Sequence, residues 1–76
     1  MSSLHLVYSG HGYERANKLS SPGDVIVLMG DAVYDNSAAL ALEDDVIARG
    51  VSHPNRITYP ELVDLAVSHD KVVSWP

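Results

Sequence analysis

The chain has 76 residues, a net charge of −5 and no cysteine. This length predicts one domain over residues 1–76, which is large enough to fold alone but only marginally stable. The missing cysteine excludes a disulfide, a thiolate metal site and a persulfide-carrying thiol, and the acidic balance argues against direct binding of nucleic acid or an anionic membrane. A small domain without disulfides is often stabilised by binding to other chains, so we expect this chain to associate with other subunits.

The compartment follows from what the chain lacks. Its longest apolar runs are about five residues, whereas a membrane span needs roughly 20. The opening MSSLH does not show the basic and then apolar regions of an export signal. We therefore expect a cytoplasmic protein that does not enter a membrane.

The first elements in chain order are two strands with a helix between them. Residues 4–8 (LHLVY) predict a strand that ends in a Ser-Gly-His-Gly turn at 9–12. Residues 13–19 predict a short helix, which the following Ser-Ser-Pro-Gly segment ends. Residues 25–29 (VIVLM) are apolar without alternation, which is typical of a strand buried on both faces of a parallel sheet.

The stretch 37–49 (SAALALEDDVIAR) fits two interpretations. It predicts a single helix capped by Ser37, since Ala and Leu are strong helix formers. It also fits a strand over 38–42 followed by a short helix from Glu43 to Arg49, because an acidic first turn and a late arginine suit the helix dipole. The residues themselves leave both interpretations open.

The last third predicts a strand, a helix and another strand. Residues 56–59 (RITY) are a short strand candidate, and Thr58 and Glu61 have the spacing of a capping box that starts a helix. That helix ends at Asp70, and residues 71–75 (KVVSW) form the last strand. Strands and helices alternate along the whole chain, which predicts the α/β class with a mostly parallel sheet.

Four histidines invite a metal hypothesis, but none has the HxxxH or HExxH spacing that places two imidazoles on one face. The four are His5, His11, His53 and His69. We interpret them as structural or incidental and predict no metal site. His69, near a helix C-terminus, is explained by the helix dipole.

Catalytic and cofactor signatures are also missing from the sequence. The turn at 9–12 has neither the GxGxxG pattern nor the lysine of a phosphate-binding loop, and no GxSxG elbow occurs. Asp31 follows the second strand at the sheet edge where open α/β folds place ligands. The acidic triplet at 43–45 is better explained by a helix N-terminus than by acid–base chemistry. We predict no catalytic residue and no cofactor.

Trp75 ends the last predicted strand. A large aromatic residue in that position either fills a gap in the core or anchors a partner, and tryptophan is common in both settings. The sequence leaves these alternatives equal.

Several segments, in order, resemble the TusB/DsrH family of the DsrE/DsrF/DsrH-like superfamily. They include a strand ending in 31–33 (DAV), an L-x-x-D-x-x-A-R-G segment within 40–50, a tyrosine-led helix containing L-V-x-L within 57–65, and a V-x-x-W strand at 72–75. The resemblance covers most of the chain. It implies a small three-layer α/β/α sandwich around a mainly parallel sheet, with 38–42 as the third strand.

The resemblance also implies a function. Members are subunits of a sulfur-relay complex, a heterohexamer with TusC/DsrF-like and TusD/DsrE-like proteins, which serves either tRNA wobble-uridine 2-thiolation or dissimilatory sulfur oxidation. Because this chain has no cysteine, it is expected to be a non-catalytic subunit, most readily of the tRNA-thiolation type. The alternative is a standalone homo-oligomeric binding or regulatory domain, and a more remote one is a small enzyme using Asp31 and a histidine.

The chain departs from the family between residues 33 and 40, where the crossover is short. A turn at 34–37 in place of a helix would expose sheet surface that a partner must cover, since parallel strands usually need about a dozen residues of crossover. The residues proposed for a partner interface are Asp31, Tyr34 and Trp75.

Overall fold

The computed structural model describes residues 2–35 and 39–76, which contain one sheet of five parallel strands in the order β4-β3-β2-β1-β5. The α/β prediction is confirmed. In chain order the elements are β1 (Ser3–Val7), α1 (Gly10–Leu19), β2 (Val25–Leu28), a 3-10 helix (Gly30–Tyr34), β3 (Leu40–Leu42), α2 (Glu43–Ala48), β4 (Arg56–Ile57), α3 (Tyr59–Ser68) and β5 (Lys71–Trp75).

The order of the strands decides which helix covers which face. From β1 to β4 the chain steps across the sheet in one direction, and from β4 to β5 it returns to the other side of β1. Right-handed crossovers therefore put α1, the 3-10 helix and α2 on one face and α3 alone on the other. We call these the three-helix face and the α3 face. The result is the predicted three-layer sandwich.

Two apolar clusters fill the spaces between these layers. The cluster on the three-helix face consists of Val7, Ala16, Leu28, Ala32, Val33, Ala41 and Val46. The cluster on the α3 face consists of Leu4, Val27, Leu42, Ile57 and Leu62. Val27 and Leu28 are adjacent in β2, belong to different clusters and are both fully buried. This confirms the prediction that the second strand is covered on both faces.

The pairing of β3 with β2 decides between the two interpretations of residues 37–49. Leu40 pairs with Val27 and Ala41 with Leu28, so β3 is a strand, and α2 begins at Glu43. The single-helix interpretation is wrong, because burying Ala41 and Leu42 on opposite faces of the sheet outweighs helix propensity. Residues 36–38, which include the predicted start of this strand and part of the predicted 34–37 turn, lie outside the described residues.

Several boundaries differ from those predicted. The first strand is Ser3–Val7 and not 4–8, β2 ends at Leu28, α2 ends at Ala48, and α3 ends at Ser68 and not at Asp70. Residues 31–33 belong to the 3-10 helix and not to the end of a strand. The first helix begins at Gly10 and not at residue 13, because the Ser9 side chain accepts a hydrogen bond from the Gly12 amide at 3.0 Å and caps it. β4 ends at Ile57, because Thr58 is already the cap of α3. The capping box itself is confirmed: the Thr58 amide donates to Glu61 Oε1 at 2.9 Å, and the Glu61 amide donates to Thr58 Oγ1 at 3.4 Å.

Candidate functional site

The carboxyl edge of the sheet carries all three residues proposed for an interface, since Trp75 is the last residue of the parallel strand β5. Asp31 and Tyr34 both lie on the 3-10 helix that follows β2. The Asp31 side chain is 81% exposed and Tyr34 is 60% exposed. Both side chains are therefore available to a partner at the edge where parallel α/β sheets place their sites.

Arg49 ties this 3-10 helix to α2. Its Nε donates to Asp31 Oδ1 at 3.1 Å and its Nη1 to Asp45 Oδ1 at 3.5 Å. The other oxygen of Asp45 accepts from the Gly30 amide at 2.8 Å. Gly30 has a φ of +52°, in the left-handed region that favours glycine. The guanidinium is thus occupied by two carboxylates, and its role here is to brace two elements.

The sequence alone does not predict that Asp45 joins α2 to the 3-10 helix. The acidic triplet was explained by the N-terminal charge of α2, and its members do occupy the first turn of that helix. A local signal for the brace did exist, since Asp45 and Arg49 have the i,i+4 spacing of a helical ion pair. The partners Gly30 and Asp31 had no such signal, because they come from a different element.

Asp31 and His11, the acid and one of the loop histidines considered for a small enzyme, lie on different elements. His11 is in the first turn of α1 and is exposed, and Asp31 is in the 3-10 helix. Neither is enclosed in a pocket that would exclude water, so the geometry supplies no activated acid–base pair.

Trp75 belongs to a hydrogen-bonded chain on the three-helix face. Its indole Nε1 donates to His5 Nδ1 at 3.0 Å, and His5 Nε2 lies 3.0 Å from Asp24 Oδ2. The two rings stack with centroids 6.1 Å apart. His5 is only 4% exposed, while Trp75 is partly buried and packs against the core cluster of that face. We call these three residues the Trp75–His5–Asp24 chain.

Asp24 is the anionic end of this chain. Its carboxylate also accepts the amides of Ser21 at 3.0 Å and Ser3 at 2.8 Å. The Ser21 amide, the His5 side chain and the Ser3 amide, in that order, lower the pKa of Asp24 from 3.8 to about 2. Three donors therefore hold the carboxylate in its charged form.

Two further histidines have separate structural settings. His69 Nδ1 donates to the Leu65 carbonyl at 2.7 Å at the end of α3, in agreement with the predicted role at a helix C-terminus. His53 is 5% exposed, and its Nδ1 accepts the Asn55 amide at 3.2 Å. Within residues 2–35 and 39–76, no group of three or more His, Asp or Glu side chains is placed to hold a metal ion.

The α3 face is covered less completely than the three-helix face. Leu6, Val25 and Leu40 on this side of the sheet are only half-buried, and Val72 on β5 is 46% exposed. Val63 and Val67, which belong to α3 itself, are 46% and 81% exposed. Beside α3 an open groove of about 410 Å³ is lined by Leu40, Ile57, Glu61, Asp64, Leu65 and Ser68. The charged residues lining this groove are both acidic. A single helix is too narrow to cover five strands, and apolar surface remains on its flanks.

No protein-family model matches the chain, and a search of curated proteins gives no match either. Among the described residues, no helix is both long and apolar enough to cross a membrane.

Proposed function

We propose that this protein is a non-catalytic subunit of a cytoplasmic sulfur-relay complex that supports 2-thiolation of the tRNA wobble uridine. In this role it binds TusC/DsrF-like and TusD/DsrE-like subunits in a heterohexamer. Two properties support the proposal. The three-layer fold around a parallel sheet is the one that the family resemblance implies, and a chain without cysteine leaves the persulfide to a partner.

The observation that carries the proposal is the incomplete cover of the α3 face. Val72 on β5 is 46% exposed, and Val67, one residue before the end of α3, is 81% exposed. Exposed apolar side chains on one face are typical of a protein-binding surface. Asp31 and Tyr34, exposed at the carboxyl edge, are proposed as a second contact.

Co-expression with TusC-like and TusD-like proteins tests the proposal. The three chains are expected to elute together from a size-exclusion column, with a mass by light scattering that corresponds to two copies of each. The complex is expected to pass persulfide sulfur from its TusD-like subunit to a TusE-like acceptor, and the transfer to fall when this chain is omitted. Separate elution of the three proteins would contradict the relay function.

Two further outcomes distinguish the alternatives. A homo-oligomer that forms without the other subunits would identify a standalone binding or regulatory domain of the same fold. A complex that forms but leaves tRNA 2-thiouridine unchanged when the chain is deleted would favour the sulfur-oxidation type of relay.

A further inference from the structure

We propose that His5 is a pH-sensitive clasp that holds Trp75 against the sheet while its imidazole is neutral and releases it on protonation. The basis is the direction of the hydrogen bonds in the Trp75–His5–Asp24 chain. An indole N–H is only a donor, so His5 Nδ1 must be the acceptor of the 3.0 Å bond from Trp75. His5 Nε2 therefore carries the proton and donates to Asp24.

Protonation changes only one end of this chain. A proton taken up from solvent by His5 Nδ1 places an N–H opposite the indole N–H, and two donors cannot share a hydrogen bond. On the other side, Nε2–H keeps its bond to Asp24, which now becomes an ion pair with the imidazolium. The ring is therefore retained by Asp24, and Trp75 is the residue that must move.

The position of Trp75 makes this movement feasible. It is the last residue of β5, which is the edge strand of the described sheet and pairs with β1. Besides its ladder pairing with Val7, the ties near it are a bond from the Tyr8 amide to the Trp75 carbonyl and one from the Ser9 hydroxyl to the Pro76 carbonyl. Opening the end of an edge strand breaks few bonds and leaves the central strands intact.

The other groups packed around His5 on this face are apolar or aromatic. Ile26 and Val73, level with His5 on β2 and β5, are apolar. The α1 helix contributes buried Gly12 and Ala16 and half-buried Tyr13. The charged or titratable side chains of α1 that remain are all exposed; they are His11, Glu14, Arg15 and Lys18. Asp24 is the charged group in contact with His5.

The clasp is testable because the chain has a single tryptophan. As the pH is lowered from 8, the Trp75 emission is expected to shift to longer wavelength, and quenching by acrylamide is expected to increase, in a one-proton transition. Far-UV circular dichroism is expected to stay constant. Acrylamide is included because an imidazolium quenches a neighbouring indole even without movement, whereas accessibility rises only if the indole leaves its site.

The variant His5→Gln is the critical comparison. A glutamine amide accepts from the indole and donates to Asp24 but does not titrate, so the transition is expected to disappear. His11→Gln, which removes the histidine next to Gly12 in the turn of α1 that packs against Trp75, is the matched control and is expected to retain it. A wild-type chain without the transition, or a His5→Gln chain that keeps it, would overturn the proposal.

A second measurement avoids the variant altogether. In ¹⁵N-labelled wild-type protein, His5 is expected to be the Nε2–H tautomer at pH 8, and the Trp75 indole N–H resonance is expected to move with the protonation of that same ring. A His5 ring that is the Nδ1–H tautomer at pH 8 would contradict the clasp even if His5→Gln fails to fold.

Discussion

Gly12 is the residue at which α1 comes closest to the last strand. A methyl group built on its Cα lies 2.9 Å from the Trp75 carbonyl oxygen and 3.1 Å from Trp75 Cβ. At a helical position without such a contact, alanine is more favourable than glycine by up to about 1 kcal/mol. Close approach of the two backbones is therefore the reason for glycine at this position.

Gly12→Ala is expected to destabilise the fold by roughly 1–3 kcal/mol, because β5 has to shift away from α1. Gly10→Ala in the same turn is the control, since nothing lies within 4 Å of its added methyl group. Urea denaturation of both variants measures the effect. Equal free energies of unfolding for the two variants would show that β5 does not pack against α1 in this way.

Asp24 makes the stability of the chain depend on pH. The pKa of its carboxyl is lowered from 3.8 to about 2, so its charged form stabilises the folded state above pH 3.8. That stabilisation is lost as the pH falls through about 2. Glu61, whose pKa is lowered by the Thr58 amide and hydroxyl, acts in the same direction.

Asp24→Asn is therefore expected to lower the free energy of unfolding at pH 7 and to flatten its decrease below pH 4. The decrease is not abolished, because Glu61 remains. Asp44→Asn, at an exposed position of α2, is the control and is expected to preserve the wild-type slope. Unfolding curves at a series of pH values provide the comparison, and identical slopes for wild type and Asp24→Asn would refute the role given to Asp24.

Of the helices that the structure describes, α3 alone covers its face of the sheet, so the packing of that face depends on it. It begins in a complete capping box at Thr58 and Glu61 and buries Leu62 against the sheet. A helix of 10 residues is marginal without such help. The cap and the packing together place its exposed valines in a fixed row.

Thr58→Ala is expected to cost about 1 kcal/mol, because the first-turn amide of Glu61 loses its acceptor. Thr58→Ser keeps a hydroxyl at the cap and is expected to retain most of the stability. Thermal unfolding together with hydrogen exchange of the α3 amides measures both changes. Faster exchange confined to α1 or α2 in Thr58→Ala would contradict this explanation.

At the scale of the whole molecule, the two faces of the sheet are covered unequally. The α1 helix, the 3-10 helix and α2 cover one face, whereas on the other Leu6, Val25 and Leu40 are only half-buried and Val72 is 46% exposed. The strand order causes this inequality, because only the return from β4 to β5 crosses the α3 face. An unequal sandwich of this kind is suited to lie against another chain.

Val67→Glu is expected to weaken assembly with the proposed TusC-like and TusD-like partners by about tenfold or more, since it would bury a charge in the proposed contact. The stability of the isolated chain is expected to be unchanged because the side chain is already exposed. Ile47→Glu is the control: Ile47 is 64% exposed on α2, on the opposite face. Isothermal titration with the partner subunits tests the pair. Loss of binding by Ile47→Glu alone would move the interface to the three-helix face.

Local patterns were sufficient for the features whose causes are local. The capping box of α3, the apolar run of β2 and the acidic start of α2 depend on neighbours a few positions away, and each is present in the structure. The strand nature of residues 40–42 was not decidable in this way, because helix propensity favoured the wrong structure. Pairing with β2 decided it.

The Trp75–His5–Asp24 chain could not be predicted from the sequence and is visible only in the folded structure. His5 and Asp24 are 19 positions apart and Trp75 is 70 positions from His5, so no spacing in the sequence relates them. By contrast, the absence of cysteine from the sequence is enough to exclude a persulfide on this chain. Composition settles which chemical groups are present. Only the parallel pairing of β1 with β2 and β5 brings three distant polar groups within hydrogen-bonding distance.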